Sequence, residues 1–243
     1  MCRMLAADDI DRFEADGFVA VRGAFPGDVA QACVDRLWPE LDVDRHDRST
    51  WTRPVIRLNG SGEAPFVASA NTPALHQAYD QLVGPGRWAP KLGVGTFAVR
   101  FPSEEDPGDA GWHVDASFEV DGKWHLNARS RGRALLLLML FSDVGPDDAP
   151  TRIRVGSHHE VATILEPAGE AGREWMGACM EIVPRTEHCP VVHATGQAGD
   201  VFLCHPFLVH AATWPHRGTT PRWIAQPALD PVEPYDLRGW GSR

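Results

Sequence analysis

Apolar residues are arranged differently in the first third of the chain and in the rest. Up to about residue 90, they recur at helical spacing in short stretches between polar segments. Residues 42–72 are polar and are predicted to be irregular. The pattern otherwise predicts a helix after residues 7–9, a strand over 18–21, a helix opened by residues 26–28 and stopped by Pro39, and a helix over 73–83.

From Gly93 onward, short β-rich runs alternate with turn residues. They predict strands at 95–101, 112–118, 124–129, 134–141, 153–155, 191–195, 200–204, 207–211 and 223–225, interrupted by helical patterns at 161–165 and 170–180. Residues 135–141 lack polar alternation, which predicts a central strand covered on both faces. We therefore expect one domain, 1–243, with a mainly helical flank over 1–90 and a mainly β core of jelly-roll type over 91–230.

Composition excludes several classes of function. The chain carries 23 Lys and Arg against 33 Asp and Glu, a formal net charge of −10, so generic binding to nucleic acid or to an anionic membrane is not expected. The longest apolar run, 134–141, is much shorter than the roughly 20 residues of a membrane-spanning helix. The five cysteines are odd in number and form no CxxC pair, so we expect a reducing cytoplasmic location.

A His-x-Asp motif, His113 and Asp115, lies within a predicted strand. Residues two apart on an extended chain point to the same face, so this imidazole and this carboxylate can converge on one metal ion. His210, on another predicted strand, is the best candidate for a third ligand. Two histidines and one carboxylate form the facial triad of non-haem iron(II) oxygenases. The motif is weak by itself, because about one occurrence is expected by chance in this composition.

Further motifs occur in a fixed order around these residues. They are Trp112-His113-x-Asp115, Gly156-Ser157-His158, Gly199-Asp200 leading to His210, and finally Arg222. In this order they resemble the phytanoyl-CoA dioxygenase family, whose members are iron(II)- and 2-oxoglutarate-dependent oxygenases with a double-stranded β-helix fold. The resemblance extends over about residues 8–229 and includes the opening helix.

The resemblance implies a role for each matching residue. His113, Asp115 and His210 match the iron(II) ligands of the family, and Arg222 matches the arginine that binds the distal carboxylate of 2-oxoglutarate. A planar guanidinium can hold a carboxylate through two hydrogen bonds, which suits that role. The implied cofactors are Fe(II), the cosubstrate 2-oxoglutarate, and O2.

Two positions depart from the family pattern. The spacing from His210 to Arg222 is about one residue longer than usual, and Arg217 is a nearby competitor for the same role. The family often has a hydroxyl residue two positions after the distal histidine, where this chain has Ala212. Thr213, one residue further on, is our candidate to replace that hydroxyl in cosubstrate binding.

Two other groups of residues receive structural interpretations. Arg129, Arg131 and Arg133 alternate along the chain and are interpreted as a solvated row, with anchorage of an acidic substrate as the alternative. His158 and His159 are predicted to point to opposite faces of a strand, within a turn that the resemblance makes structural.

The resemblance implies a dioxygenase that hydroxylates, desaturates or cyclises a small organic molecule, such as one of secondary metabolism, and releases succinate and CO2. Halogenation is disfavoured, because related halogenases lack the carboxylate ligand that Asp115 supplies. One alternative is a cupin-type metalloenzyme without 2-oxoglutarate, for which Glu119 would supply a ligand. Another is a small-molecule binding protein on the same fold. The sequence makes no prediction about oligomeric state.

Overall fold

Helices and short strands alternate along the part of the protein that the computed structural model describes, residues 5–130 and 132–236. The helices are α1 (Ala7–Asp16), α2 (Gly27–Leu37), α3 (Ala64–Ala70), α4 (Pro73–Leu82), α5 (Ser157–Leu165) and α6 (Trp175–Arg185). The strands are β1 (Phe18–Val21), β2 (Val55–Leu58), β3 (Phe97–Arg100), β4 (Phe118–Val120), β5 (Lys123–Leu126), β6 (Arg129–Ser130), β7 (Leu135–Leu140), β8 (Arg152–Arg154), β9 (Arg173–Glu174), β10 (Val191–His193), β11 (Val201–Cys204), β12 (His210–Ala211), β13 (Arg222–Ala225), β14 (Ala228–Leu229) and β15 (Tyr235–Asp236).

A large antiparallel sheet has the strand order β1-β11-β7-β13-β3-β2, with β14 paired to the end of β7. All six residues of β7 are buried. Leu137 and Met139 belong to a core cluster shared with helices α1, α2 and α4, whereas Leu136 and Leu138 belong to a second cluster shared with β8. The prediction of a central strand covered on both faces is therefore confirmed.

A smaller antiparallel sheet has the order β10-β8-β12 and faces the second cluster. His113 extends it through an isolated bridge to His210 on β12. The chain crosses between the two sheets repeatedly after β3, since β7, β11 and β13 lie in the large sheet and β8, β10 and β12 lie in the small one. The protein is thus mainly antiparallel sheet with helices packed around it.

Residues 42–72 are more regular than predicted. They contain β2, which pairs with β3 at the edge of the large sheet, and helix α3. The alternating burial of β2 explains the strand, because Ile56 and Leu58 are buried on one face while Arg57 lies on the other face. The segment 1–90 therefore supplies both edge strands of the large sheet, since β1 lies at the opposite edge.

Three further predictions are wrong in whole or in part. The strand predicted over 112–118 does not form, because among residues 112–117 only His113 makes a ladder pair and the next strand, β4, begins at Phe118. His158 and His159 lie in the first turn of α5 rather than on a strand, and their rings are 3.9 Å apart. The helix predicted over 170–180 begins later, at Trp175, after a short 3-10 segment and β9.

Candidate metal centre and its cavity

His113, Asp115 and His210 come together although they lie on different parts of the fold. Their ligand atoms are all within 4.8 Å of one another. Asp115 Oδ1 is 3.7 Å from Nε2 of His113 and 3.9 Å from Nε2 of His210. The donor set and its spacing fit one metal ion held from one side.

Backbone contacts orient both imidazoles. Nδ1 of His113 is 2.9 Å from the Gly111 carbonyl oxygen, and Nδ1 of His210 is 3.0 Å from the Leu208 carbonyl oxygen. A carbonyl only accepts, so each Nδ1 carries the proton and each Nε2 keeps its lone pair for a metal. The two residues also exchange backbone hydrogen bonds of 3.0 Å in both directions.

The protonation states are those that metal binding requires. Burial lowers the pKa of His210 below its ordinary value, so this imidazole is neutral near pH 7. Burial acts to raise the pKa of Asp115, but Arg133, His210 and His113 together outweigh it, and the pKa lies below its usual range. A metal ion can therefore bind without first displacing a proton from either group.

Arg133 holds the second oxygen of the candidate carboxylate ligand. Its Nη1 donates to Asp115 Oδ2 at 2.5 Å, and its Nη2 donates to the Ala116 carbonyl at 2.6 Å. Oδ1 is left facing the two histidines. The guanidinium thus orients Asp115 to bind an ion through one oxygen. The interpretation of Arg133 as a solvated residue is wrong, whereas Arg129 is exposed and pairs with Glu170. Arg131 lies outside the described residues.

Helix α6 supports the segment between the first two candidate ligands. Trp175 Nε1 donates to the Val114 carbonyl at 2.6 Å, and the thiol of Cys179 approaches the same oxygen at 3.8 Å. The ring of Trp175 also packs edge-on against His113, with centroids 6.3 Å apart. These contacts with α6 hold the segment that carries His113 and Asp115, although the segment does not form a regular strand.

The three candidate ligands line a cavity of about 300 Å³. Its wall is polar and comes mainly from β3, β13 and the segments carrying the ligands. A larger cavity of about 920 Å³ lies along β1 and includes none of these residues. The wall of the smaller cavity consists of Arg57, Thr96, Ala98, Arg100, Asp109, His113, Asp115, Arg133, Thr151, His210, Ala212, Arg222, Ile224 and Gln226.

Arg222, at the start of β13, lies in the wall of this cavity, where the role predicted for it would place it. It is 3% exposed, and its Nη1 donates to the Ala149 carbonyl. Its Nε is buried with no hydrogen-bond partner among the described residues, which suits an anionic ligand. Burial, followed by the charge of Arg100, lowers the pKa of Arg222 to about 9. The side chain is therefore still protonated at neutral pH.

The other sequence candidates lie elsewhere. Arg217 is 62% exposed and pairs with Glu104 at 3.3 Å, outside the cavity wall. The hydroxyl of Thr213 donates to the Pro150 carbonyl at 2.6 Å, and Thr213 is not part of the described wall. Thr151 brings a hydroxyl to the cavity instead. Glu119 is exposed on β4, away from the three candidate ligands.

The sequence did not indicate the residues that surround the candidate metal ligands. Arg57, Arg100 and Asp109 come from β2, β3 and the loop after it, and they meet only in the folded protein. No local motif marks them. The only available signal for Arg133 was its alternation with two other arginines, which did not indicate its partner.

Several solved structures are similar to this fold. The epimerase SnoN in complex with Fe3+, alpha ketoglutarate and nogalamycin RO aligns with a TM-score of 0.62 and 21% identity, covering 92% of this chain and 82% of that one. EctD from S. alaskensis with 2-oxoglutarate and 5-hydroxyectoine gives 0.56 and 18%, covering 91% and 74%. HygX from Streptomyces hygroscopicus with nickel, 2-oxoglutarate and hygromycin B gives 0.55 and 14%, covering 97% and 100%. At these identities the likeness establishes the fold.

Sequence comparison identifies the family. Among curated proteins, no sequence matches the chain. The model of the family described as phytanoyl-CoA dioxygenase (PhyH) matches residues 13–222, which include His113, Asp115, His210 and Arg222. Since that match spans most of the chain, the protein belongs to the phytanoyl-CoA dioxygenase family.

Proposed function

We propose that this protein is an iron(II)- and 2-oxoglutarate-dependent dioxygenase that oxidises a small organic molecule. The observation that carries the proposal is that His113, Asp115, His210 and Arg222 all line one cavity. Family membership and the iron- and 2-oxoglutarate-bound neighbours support it. We also infer that the two sheets form a double-stranded β-helix in a single domain, with residues 91–230 as its core and 1–90 as its flank.

In this proposal His113, Asp115 and His210 bind iron(II) on one side and leave its other coordination positions open. Bound iron(II), 2-oxoglutarate and O2 would supply oxidation of an unactivated C–H bond, one oxygen atom entering succinate as 2-oxoglutarate loses CO2 and the other entering the product or leaving as water. Asp115 binds through Oδ1 alone, because Arg133 occupies Oδ2.

Arg222 binds the distal carboxylate of 2-oxoglutarate. Its buried Nε and its charge at neutral pH suit this role. Thr151 supplies the hydroxyl at the cavity wall that the sequence assigns to Thr213. Arg217 takes no part, since it is exposed and paired with Glu104.

Hydroxylation, or a desaturation or cyclisation that begins with the same hydrogen abstraction, is favoured over halogenation. A halide would have to take the position of Asp115, which Arg133 holds between the two histidines. The cupin alternative is less well supported, because Glu119 is exposed on β4.

The unpaired buried cysteines Cys33, Cys179, Cys189 and Cys204 support a reducing cytoplasmic location.

The metal assignment predicts that His113→Ala and His210→Ala bind iron(II) at least about tenfold more weakly than the wild type and form no succinate, because each loses one of three ligands. Calorimetric titration with iron(II) under nitrogen measures the first effect. His125→Ala is a matched control, since Nδ1 of His125 makes the same contact to a carbonyl two residues earlier, at 2.9 Å, outside the cavity. Unchanged iron affinity in both ligand variants would falsify the assignment.

The cosubstrate assignment predicts that Arg222→Ala weakens 2-oxoglutarate binding by roughly 3–5 kcal/mol, since it removes one partner of a buried charge pair. Arg217→Ala is the matched control and should bind 2-oxoglutarate like the wild type. Both are read from 2-oxoglutarate titrations of metal-loaded protein. The reverse ordering of the two variants would show that Arg217 is the anchor. Product formation without succinate would instead favour the cupin alternative, and binding without turnover would favour a binding protein.

A further inference from the structure

The cavity is positively charged although the chain as a whole is acidic. Four arginines and two aspartates line its wall, so it carries an excess of positive charge, whereas the whole chain has a formal net charge of −10. The exposed acidic residues Glu104, Glu105 and Asp106 are near in sequence but are not part of the described wall. A cationic cleft on an acidic protein concentrates anions at that point.

The excess remains when the proposed cofactors are counted. Asp115 pairs with Arg133, and Arg222 takes the distal carboxylate of 2-oxoglutarate in the proposed function. Iron(II) and the dianion 2-oxoglutarate carry equal and opposite charges, so binding both leaves the total excess of two positive charges unchanged. One of these charges remains at the iron end of the cavity. The other lies with Arg57 and Arg100, which share the single carboxylate of Asp109.

Asp109 is the only carboxylate that the described structure gives to these two guanidiniums. Its Oδ1 accepts from Arg100 Nη2 at 2.5 Å, and its Oδ2 accepts from Arg57 Nη2. Burial acts to raise the pKa of Asp109, but Arg100 and then Arg57 lower it below its usual range, so the carboxylate is ionised. One negative charge is thus shared between two positive ones.

The three side chains lie at increasing depth, from the solvent to the interior of the cavity. The side chain of Arg57 is 56% exposed and that of Asp109 is 16% exposed, whereas Arg100 is 3% exposed. Arg100 lies opposite Arg222 in the β3–β13 register, and its Nε is buried without a hydrogen-bond partner among the described residues. Arg57 thus stands at the mouth, with donors left over after its contact with Asp109.

We infer that the substrate carries an anionic group, a carboxylate or a phosphoryl group, which binds Arg57 and Arg100 at the mouth of the cavity. This inference rests on the proposed function, because it counts the charges of iron(II) and 2-oxoglutarate. Guanidinium groups match the geometry of both kinds of oxyanion. The substrate class is therefore a small organic acid or phosphate ester rather than a neutral or cationic molecule.

The test uses full-length protein loaded with zinc(II), a redox-inactive substitute, and saturated with 2-oxoglutarate. Phenylacetate, phenyl phosphate, the neutral phenylacetamide and the cationic phenethylamine are titrated separately and followed by ligand-observed NMR. We expect the two anions to bind roughly tenfold more tightly than the amide, with the amine weakest. Arg57→Gln should remove most of this preference. Arg36→Gln, an exposed arginine paired with Glu40 and Glu63 on another face, should retain it.

Equal affinity for phenylacetate and phenylacetamide, or a full anion preference in Arg57→Gln, overturns the inference. So does the absence of measurable binding by both anions. The affinity for 2-oxoglutarate is measured first and separately. Anion preference without 2-oxoglutarate binding refutes the proposed cosubstrate but leaves the anion site in place. Normal 2-oxoglutarate binding without anion preference refutes only the anion site. Stronger binding of phenyl phosphate than of phenylacetate assigns the phosphoryl group.

Discussion

Individual hydrogen bonds orient the side chains of the candidate metal ligands. Each imidazole is oriented by a carbonyl two residues earlier, and the carboxylate of Asp115 is oriented by Arg133. The second oxygen of Asp115 accepts from Arg133, so the carboxylate offers an ion one oxygen instead of two. The contacts around the ligands therefore matter as much to this site as the ligands themselves.

Replacing Arg133 should weaken metal binding. Arg133→Gln removes the charged fork from Asp115 Oδ2 and the Ala116 carbonyl, so the carboxylate is free to turn away from the histidines. We expect iron(II) affinity to fall roughly 10–100-fold, as is usual when the partner of a ligand is removed. Arg133→Lys keeps the charge but not the two-nitrogen geometry of the guanidinium. Its iron(II) affinity should lie between those of the wild type and Arg133→Gln. Arg129→Gln is the control, and titration under nitrogen measures all three; an affinity gain in Arg133→Gln would contradict the prediction.

The candidate ligands could be identified from the sequence, whereas the residues that contact them could not. His113 and Asp115 are close in sequence, and the ordered motifs indicate His210 and Arg222. Arg133 is 18 residues from its partner Asp115, and Arg57 is 52 residues from Asp109. Nothing local constrains such pairs, because they form only when separate strands are brought together.

At the scale of elements, β7 divides the interior into two cores. Alternate residues of this strand belong to different clusters, one shared with the helices and one enclosed between the sheets. Its unbroken apolar composition made this position predictable. The structures of β2 and of the segment around His113 could not be predicted in this way. Strand β2 is only four residues long among polar neighbours, and His113 makes a single ladder pair.

Truncations on both faces of β7 should therefore be costly. Leu137→Ala and Leu138→Ala each leave a cavity in a different core, and each should lower the free energy of unfolding by about 2–5 kcal/mol. The double variant, which opens a cavity on each side of the same strand, should lose more stability than either single variant. Urea denaturation measures all three. Val120→Ala, at a 41% exposed position, is the control; a small effect at either leucine would mean that one face of β7 is not a core.

At the scale of the whole molecule, the first ninety residues are joined to the β core at several places. Strands β1 and β2 complete opposite edges of the large sheet. His158 on α5 donates from Nε2 to the Glu14 carbonyl of α1 at 3.0 Å. Gly17 ends α1 with φ of +85°, and a Cβ there would approach His158 Nδ1 to 2.5 Å. The flank is thus integrated with the core rather than appended to it, which helical periodicity alone did not predict.

This junction should make stability depend on pH. Burial, and then the neighbouring His159, lower the pKa of His158 from its ordinary value of 6.5 to about 4. Between these values the unfolded chain binds a proton that the folded protein does not, so stability falls as pH falls. From pH 7.5 to pH 5 this residue should cost about 2 kcal/mol.

Urea denaturation of apo protein at the two pH values measures this effect. His158→Gln should lose about 2 kcal/mol less than the wild type over the same interval, because it has no titrating group at the junction. His46→Gln is the control, because His46 is an exposed histidine and is not among the groups that shift the pKa of His158. The same pH dependence in wild type and His158→Gln would show that other groups account for the loss. Within residues 5–130 and 132–236, none of the helices could span a membrane.

The paired main chains of His113 and His210 also affect which ion the protein carries. The main chains of the two residues exchange hydrogen bonds of 3.0 Å, so contacts within the fold already place the two imidazoles side by side. The proposed site offers an ion only side-chain donors that are neutral imidazole or carboxylate. Imidazole and carboxylate donors bind cobalt(II), nickel(II) and copper(II) more tightly than iron(II). If the proposed metal centre is correct, we expect the ion found in purified protein to depend on which ion was supplied, and metal analysis before and after chelation and anaerobic reconstitution with iron(II) measures this.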